Sequence, residues 1–231
     1  MNEEPSKLAD RLDTLGESIR RRAASAAERR PPQRDDEVAE YRRQALARKR
    51  AELWTDLAPA RFVDATLALA PTDVAPLLER WTAHPGTNLV LTGPVGVGKT
   101  WCALAAVRPL VEAGRRVAFW PVAELLDDLR PSAPDNDSWT RSLEADVIVL
   151  DDLGAERMTD WTAERLGAIV NRRWLDRVPV VATTNLAPAA LCEALGERCY
   201  SRLVGGATVI RIAGEDQRRR PTVTTQGAPT P

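Results

Sequence analysis

The sequence predicts an α/β fold, a parallel five-stranded sheet flanked by helices and preceded by an N-terminal helical extension. Three observations carry this. From residue 59 onward, short apolar segments alternate with segments of helical periodicity, the order that builds parallel sheets. Val147-Ile148-Val149-Leu150 and Val178-Pro179-Val180-Val181-Ala182-Thr183 are continuous apolar runs, as expected of strands covered on both faces. The stretch Gly93-Pro94-Val95-Gly96-Val97-Gly98-Lys99-Thr100 fits G-x-x-x-x-G-K-[ST] and lies between a strand-like and a helix-like segment.

Taken in order, Leu8, Leu12, Leu15 and Ile19 give residues 7–30 a helical stripe, which Pro31-Pro32 ends. A second helix is predicted from Asp35, with acids in its first turn, to Leu57. Val38, Tyr41, Ala45, Leu46, Leu53 and Trp54 form its partial apolar stripe. Pro59 to Asp64 leads into the core, and Thr72 to Ala83 reads as a helix. Strand 88–92 precedes the glycine-rich loop, and a helix rich in Ala and Leu runs from Trp101 to Ala113, with Gly114 as its C-cap. Strand 116–120 and a helix from Val122 to Arg130 follow. Pro131 to Asp137 is a polar loop, and Trp139 to Leu143 a short helix. Strand 147–150, a helix from Thr162 to Leu175, strand 178–183, two helices over 188–204 and strand 207–212 complete the alternation. From Glu215 onward the chain is charged, then rich in Thr and Pro, and is predicted to be disordered.

Length and composition narrow the function. The chain has 231 residues, enough for one sizeable core and a small accessory segment. Its net charge of −1 does not announce a nucleic-acid binder, although residues 20–50 carry eleven Arg and Lys against five Asp and Glu. That segment is a partner-binding or DNA-binding extension, or a solvated pair of charged helices. Cys102, Cys192 and Cys199 have no C-x-x-C spacing, which predicts reduced thiols in a cytoplasmic protein and no zinc site. No apolar run approaches the ~20 residues that span a bilayer, and no signal-peptide core opens the sequence. The single histidine, His84, sits beside Pro85-Gly86, so histidine catalysis is not expected. Trp54, Trp81, Trp101, Trp120, Trp139, Trp161 and Trp174 are candidate core or interface anchors, or stacking platforms for single-stranded DNA.

The chemistry follows from the glycine-rich loop. Gly93, Gly96 and Gly98 let the backbone turn its N–H groups inward, forming with the following helix N-terminus a cradle for phosphate. Pro94, Val95, Val97 and Trp101 complete that segment. Lys99 adds a point charge at the β and γ phosphates, and the Thr100 hydroxyl is a candidate ligand for Mg²⁺. Lysine occurs only at 7, 49 and 99 in a chain whose 32 basic residues are otherwise all arginine, and one of the three falls in this loop. Asp151 and Asp152 end strand 147–150. Asp151 is the natural metal partner, facing the loop from a neighbouring strand, and Asp152 is placed to orient or deprotonate an attacking water. Strand 178–183 ends in Thr183-Thr184-Asn185, where Asn185 is a candidate for contact with the γ-phosphate or the water. The predicted ligands are therefore ATP and Mg²⁺.

Gly-Pro-Val-Gly-Val-Gly-Lys-Thr, Val-Ile-Val-Leu-Asp-Asp-Leu-Gly and Thr-Thr-Asn-Leu together resemble the AAA+ ATPases. Within them the chain is most similar to helicase loaders of DnaC type and transposition helpers of IstB type. The resemblance runs from about Pro59 to Arg220. It implies that Leu195-Gly196-Glu197-Arg198-Cys199-Tyr200-Ser201-Arg202-Leu203 corresponds to the arginine-finger box, with Arg202 the finger and Arg198 its neighbour. Without the resemblance, Arg198 and Arg202 are an i,i+4 pair on an exposed helix. It also places Arg218 near a late sensor arginine. Asp152 stands where most AAA+ members carry Glu, and no sizeable helical lid follows the last strand.

The resulting expectation is a partner-binding segment over 1–58, an AAA+ ATPase core over 59–214 and a tail over 215–231. The resemblance implies ATP hydrolysis coupled to assembly of copies through ATP-bridged interfaces. Loading or remodelling of a hexameric replicative helicase, with contact to single-stranded DNA, is the first expectation. The alternative is a transposition helper that binds duplex DNA and recruits a transposase. A P-loop small-molecule kinase is disfavoured by the Asp-Asp-Leu-Gly strand, the Thr-Thr-Asn tip and the paired arginines.

Overall fold

The computed structural model describes residues 17, 20, 21, 33–133, 137–155 and 159–217. The helix expected over 7–30, apart from Glu17, Arg20 and Arg21, and the tail from residue 218 lie outside the described residues. The chain divides into two compact units, 1–48 and 49–231.

The first unit contains the opening part of helix α1 (Gln33–Leu57). Its residues from Glu37 to Arg48 are exposed, and Glu40 accepts hydrogen bonds from Arg43 (2.6 Å) and Gln44 (2.9 Å). Exposed pairs at i,i+3 and i,i+4 add a few tenths of a kcal/mol to a helix. They explain a helix that buries little.

The second unit begins before the proline that the composition shift marks. Trp54 is only 3% exposed, its Nε1 donates to the Val63 carbonyl (2.7 Å), and the Arg108 guanidinium stacks on its ring at 5.2 Å. Ala58 is also buried. The second unit therefore takes in the end of α1, ahead of the boundary expected at 58/59. Composition reports where charge thins out, whereas packing depends on a single large side chain at the end of α1.

Five strands form one parallel sheet: β1 (Leu89–Thr92), β2 (Val117–Pro121), β3 (Val147–Asp151), β4 (Val180–Thr184) and β5 (Thr208–Arg211), in the order β2-β3-β4-β1-β5. Strand alternation sends neighbours to opposite faces. Leu89 and Leu91 of β1 and Val147 and Val149 of β3 join one core. Val90, Ile148 and Leu150 join the other. The central strands β1, β3 and β4 are buried on both faces, as the uninterrupted apolar runs require.

Helices cover both faces: α2 (Ala75–Ala83), α3 (Lys99–Glu112), α4 (Val122–Asp128), α5 (Ser138–Glu144), α6 (Asp160–Leu175), α7 (Pro188–Leu195) and α8 (Glu197–Val204). Of the boundaries that differ from expectation, two have a clear local reason. Helix α3 starts at Lys99 because Gly98, at φ +95°, is its N-cap. Helix α6 starts at Asp160 because Thr159 and Thr162 form a reciprocal capping box. Arg173 on α6 is 1% exposed and donates to the carbonyls of Ser142, Ala145 and Pro179, tying the helix to the base of β3 and β4. No helix among the described residues is long and apolar enough to cross a membrane.

Candidate functional site

Parallel strands deliver their C-terminal ends to one edge of the sheet, where open α/β sheets carry their ligands. There β1 runs into the glycine-rich loop, β3 into Asp151 and β4 into Thr184. The sheet order corrects one expectation. β3 does not neighbour β1, because β4 is inserted between them. Asp151 therefore reaches the loop across the tip of β4, and a side chain from that tip joins the site.

That side chain is Thr183. Its hydroxyl donates to Asp151 Oδ1 (2.7 Å) and accepts from the Asp152 backbone N–H (2.9 Å). Thr100 Oγ1 donates to the other oxygen, Asp151 Oδ2, at 3.2 Å. Burial pushes the Asp151 carboxyl above its ordinary range, against the two hydroxyl donors that favour its charged form. A half-buried carboxylate flanked by hydroxyl oxygens is a hard, oxygen-only donor set of the kind that suits Mg²⁺. Asp152 follows with φ +59°, a left-handed conformation uncommon outside glycine. The turn is held by the Leu153 N–H on the Thr183 carbonyl (2.8 Å) and by Thr184 Oγ1 on the Leu153 carbonyl (2.7 Å).

The loop itself is built for close approach. Gly96 is at φ +81°, and a Cβ there would collide with the Asp216 carboxylate. The Gln217 N–H donates to the Gly96 carbonyl (3.0 Å), so Asp216 and Gln217 pack on the loop. Lys99 is 8% exposed, and its Nζ donates to the carbonyls of Gly93 (3.0 Å) and Pro94 (2.8 Å). These contacts hold the ammonium at the loop.

The loop and the strand tips enclose a cavity of about 700 Å³, within the range of small-ligand sites. Val95, Gly96, Val97, Gly98, Lys99, Thr100 and Trp101 line it, with Asp151, Asp152 and Thr183 opposite. Arg61, Phe62, Leu69 and Pro71, from the segment before α2, supply a largely apolar wall, and Gln217 closes another side. An apolar wall beside a phosphate cradle is what a nucleotide requires, base at one end and phosphates at the other. None of these last five residues carries a sequence signal, since they enter the site from segments without a pattern.

The other candidate residues lie elsewhere. Asn185 is exposed, just beyond β4, and does not line the cavity, whereas Thr183 does. Arg198 and Arg202 line a second cavity of about 460 Å³ between α6 and α8, with Glu164, Asn171 and Glu197. They are not in the nucleotide cavity of their own chain. Arg218 lies outside the described residues.

A parallel β2-β3-β4-β1-β5 sheet, a phosphate-binding loop between β1 and α3, and an acidic pair at the tip of β3 define a P-loop ATPase core of the AAA+ class. The family described as IstB-like ATP binding protein matches residues 38–224, and the chain belongs to that family. It is similar to the ATP-binding protein named for insertion sequence IS21 in Pseudomonas aeruginosa, at 32% identity over 140 residues, covering 57% of this chain and 52% of that one. It is also similar to the replicative helicase loader DnaI of Bacillus subtilis, at 28% identity over 149 residues, covering 58% of this chain and 48% of that one. The alignments thus span about half of these relatives. Among solved structures, the DnaC helicase loader superposes with a TM-score of 0.61 at 25% identity, over 67% of this chain and 100% of that chain. DnaI superposes at 0.62 and 26% identity, over 70% and 94%.

Proposed function

We propose that the chain binds ATP in the 700 Å³ cavity, hydrolyses it, and uses the nucleotide to control its own assembly on DNA. The observation that carries this is the convergence of Lys99, Thr100, Asp151, Asp152 and Thr183 on one cavity beside an apolar wall. Loop N–H groups and Lys99 take the β and γ phosphates. Thr100 and Asp151 would hold Mg²⁺, which when bound offsets phosphate charge. Asp152 orients the attacking water and takes its proton, and Thr183, at the tip of β4, holds Asp151 in place. Arg202, remote from its own cavity, serves the nucleotide of a neighbouring copy. Loss of the γ-phosphate removes that bridge and loosens the assembly.

Two finer functions each have their own support. Likeness to the DnaC helicase loader over that whole structure supports action on a hexameric replicative helicase with single-stranded DNA. The family match over 38–224 and the IS21 relative support a transposition helper in the cytoplasm that coats duplex DNA and recruits a transposase. The test is ATP-dependent binding to single-stranded and duplex DNA of equal length, with a hexameric helicase in a parallel arm. Preference for single strands with helicase capture supports the loader, and preference for duplex without it supports the helper. The nucleotide step is tested first. ATP should raise the melting temperature of the parent but not of Lys99→Ala. An equal rise in both would remove the basis of the proposal.

A further inference from the structure

We infer that Trp174 is a positioning residue for Arg202. Its indole face holds the guanidinium at the subunit edge, aimed at the nucleotide of a second copy of this chain. The inference rests on the proposed action of Arg202 in trans.

Trp174 is 51% exposed, more than any other of the seven tryptophans, so burial does not explain a large ring at this position. The Arg202 Cζ lies 5.1 Å from the centre of that ring. Both backbones are fixed. Arg173, next to Trp174, is pinned by three carbonyls. Asn88 Nδ2 donates to the carbonyls of Arg202 (3.1 Å) and Leu203 (2.9 Å), and Leu203 is fully buried. The stack is therefore a meeting of two anchored helices, not of two loose side chains.

The choice of a ring over a carboxylate matters chemically. Two acids of this region are engaged by other arginines, Glu164 by Arg165 (3.2 Å) and Asp176 by Arg172 (2.7 Å). Among the described residues none forms an ion pair with Arg202. A carboxylate would neutralise the guanidinium and have to be displaced before phosphate could bind. An aromatic face restricts the side chain while leaving its full charge and its planar set of donors available. Order is thus established before the partner's nucleotide arrives, and what it aids is the charged transition state more than ground-state binding.

The test uses the full chain with ATP and Mg²⁺ at concentrations where copies associate. Trp174→Leu and Trp174→Ala should lower kcat about tenfold, the scale of a partly desolvated cation–π contact. The KM for ATP, which belongs to the other side of the interface, should stay within about twofold because uniform binding is untouched. Trp174→Phe, which keeps a π face, should restore most of kcat. Trp174→Ala should add nothing in an Arg202→Ala background, and Arg202→Ala should shift tryptophan emission in the parent but not in Trp174→Phe. Parental turnover in Trp174→Leu while Arg202→Ala is inactive overturns the role of Trp174 and leaves the finger intact. Parental turnover in Arg202→Ala overturns the finger itself. A Trp174→Phe variant as impaired as Trp174→Leu overturns the ring-face argument, and the half-exposed position lets all three fold.

Discussion

Asp151 and Asp152 are adjacent in sequence and opposite in environment. Asp151 is half-buried and receives hydroxyls from Thr100 and Thr183, and its partial burial raises its carboxyl above the ordinary range. Asp152 turns away at φ +59° and faces the cavity. Asp152→Asn should therefore keep the ATP-dependent rise in melting temperature and lose turnover by about 10²–10⁴-fold, the usual weight of a general base. Isothermal titration and a phosphate-release assay on the same sample check both halves, and parental turnover would remove Asp152 from the chemistry. Thr183→Val should weaken ATP binding in the presence of Mg²⁺ by about tenfold, since one donor that orients Asp151 is lost and costs about 1–2 kcal/mol. Lys99, Thr100 and the acid pair were legible because each belongs to a contiguous pattern. At the tip of β4 the Thr183-Thr184-Asn185 pattern pointed to Asn185, and Thr183 went unmarked. Which of them meets Asp151 depends on β4 standing between β1 and β3, with Leu150 opposite Ala182, and sequence spacing does not carry sheet order.

At the scale of elements, the end of α1 belongs to the ATPase unit. Removing residues 1–48 should leave a core with a near-parental melting temperature, whereas removing 1–58 strips Trp54 and Ala58 from it. Trp54→Ala alone should cost about 3–5 kcal/mol by large-to-small replacement in a packed core. Chemical denaturation of the three variants checks this, and a stable 59–231 fragment would refute the packing argument. The strands and most helices were legible because burial on both faces leaves continuous apolar runs and clear periodicity. The wall formed by Phe62, Leu69 and Pro71 was not, since 3₁₀ turns at Ala60–Phe62 and Leu67–Leu69 leave no periodic trace. Helix packing also sets thiol chemistry. Burial raises Cys102 on α3 and Cys199 on α8 from 9.0 to about 11. The fold holds both protonated, so their share of stability is fully present below pH 9 and is lost as pH rises through 11. Unfolding titrations over that window should lose roughly 2–3 kcal/mol per thiol. Alkylation of the native protein at pH 8 should mark Cys192, which is not buried, and spare the other two.

At the scale of the whole molecule, the candidate residues are divided between two cavities. The phosphate loop, the acid pair and Thr183 share the 700 Å³ cavity, while Arg198 and Arg202 line the 460 Å³ cavity between α6 and α8. Among the described residues that line the nucleotide cavity, Arg61 is the one arginine, and it comes from the wall beside Phe62 rather than from the phosphate end of the loop. A guanidinium for the γ-phosphate must then come from another copy or from outside the described residues. Mixing separates these. Lys99→Ala subunits lack phosphate binding and keep Arg202, whereas Arg202→Ala subunits keep phosphate binding and lack the finger. Each should be inactive alone. In an equimolar mixture some interfaces pair an intact loop with an intact Arg202, so partial turnover should return and should rise with total protein concentration. Arg202→Lys should fail in place of arginine, because a compact ammonium lacks the planar set of donors that meets a phosphoryl group. If Arg202→Ala turns over ATP at the parental rate at high dilution, where copies are apart, Arg202 is an ordinary helix arginine stacked on Trp174. If the mixture stays inactive while each variant folds, the finger does not act across an interface.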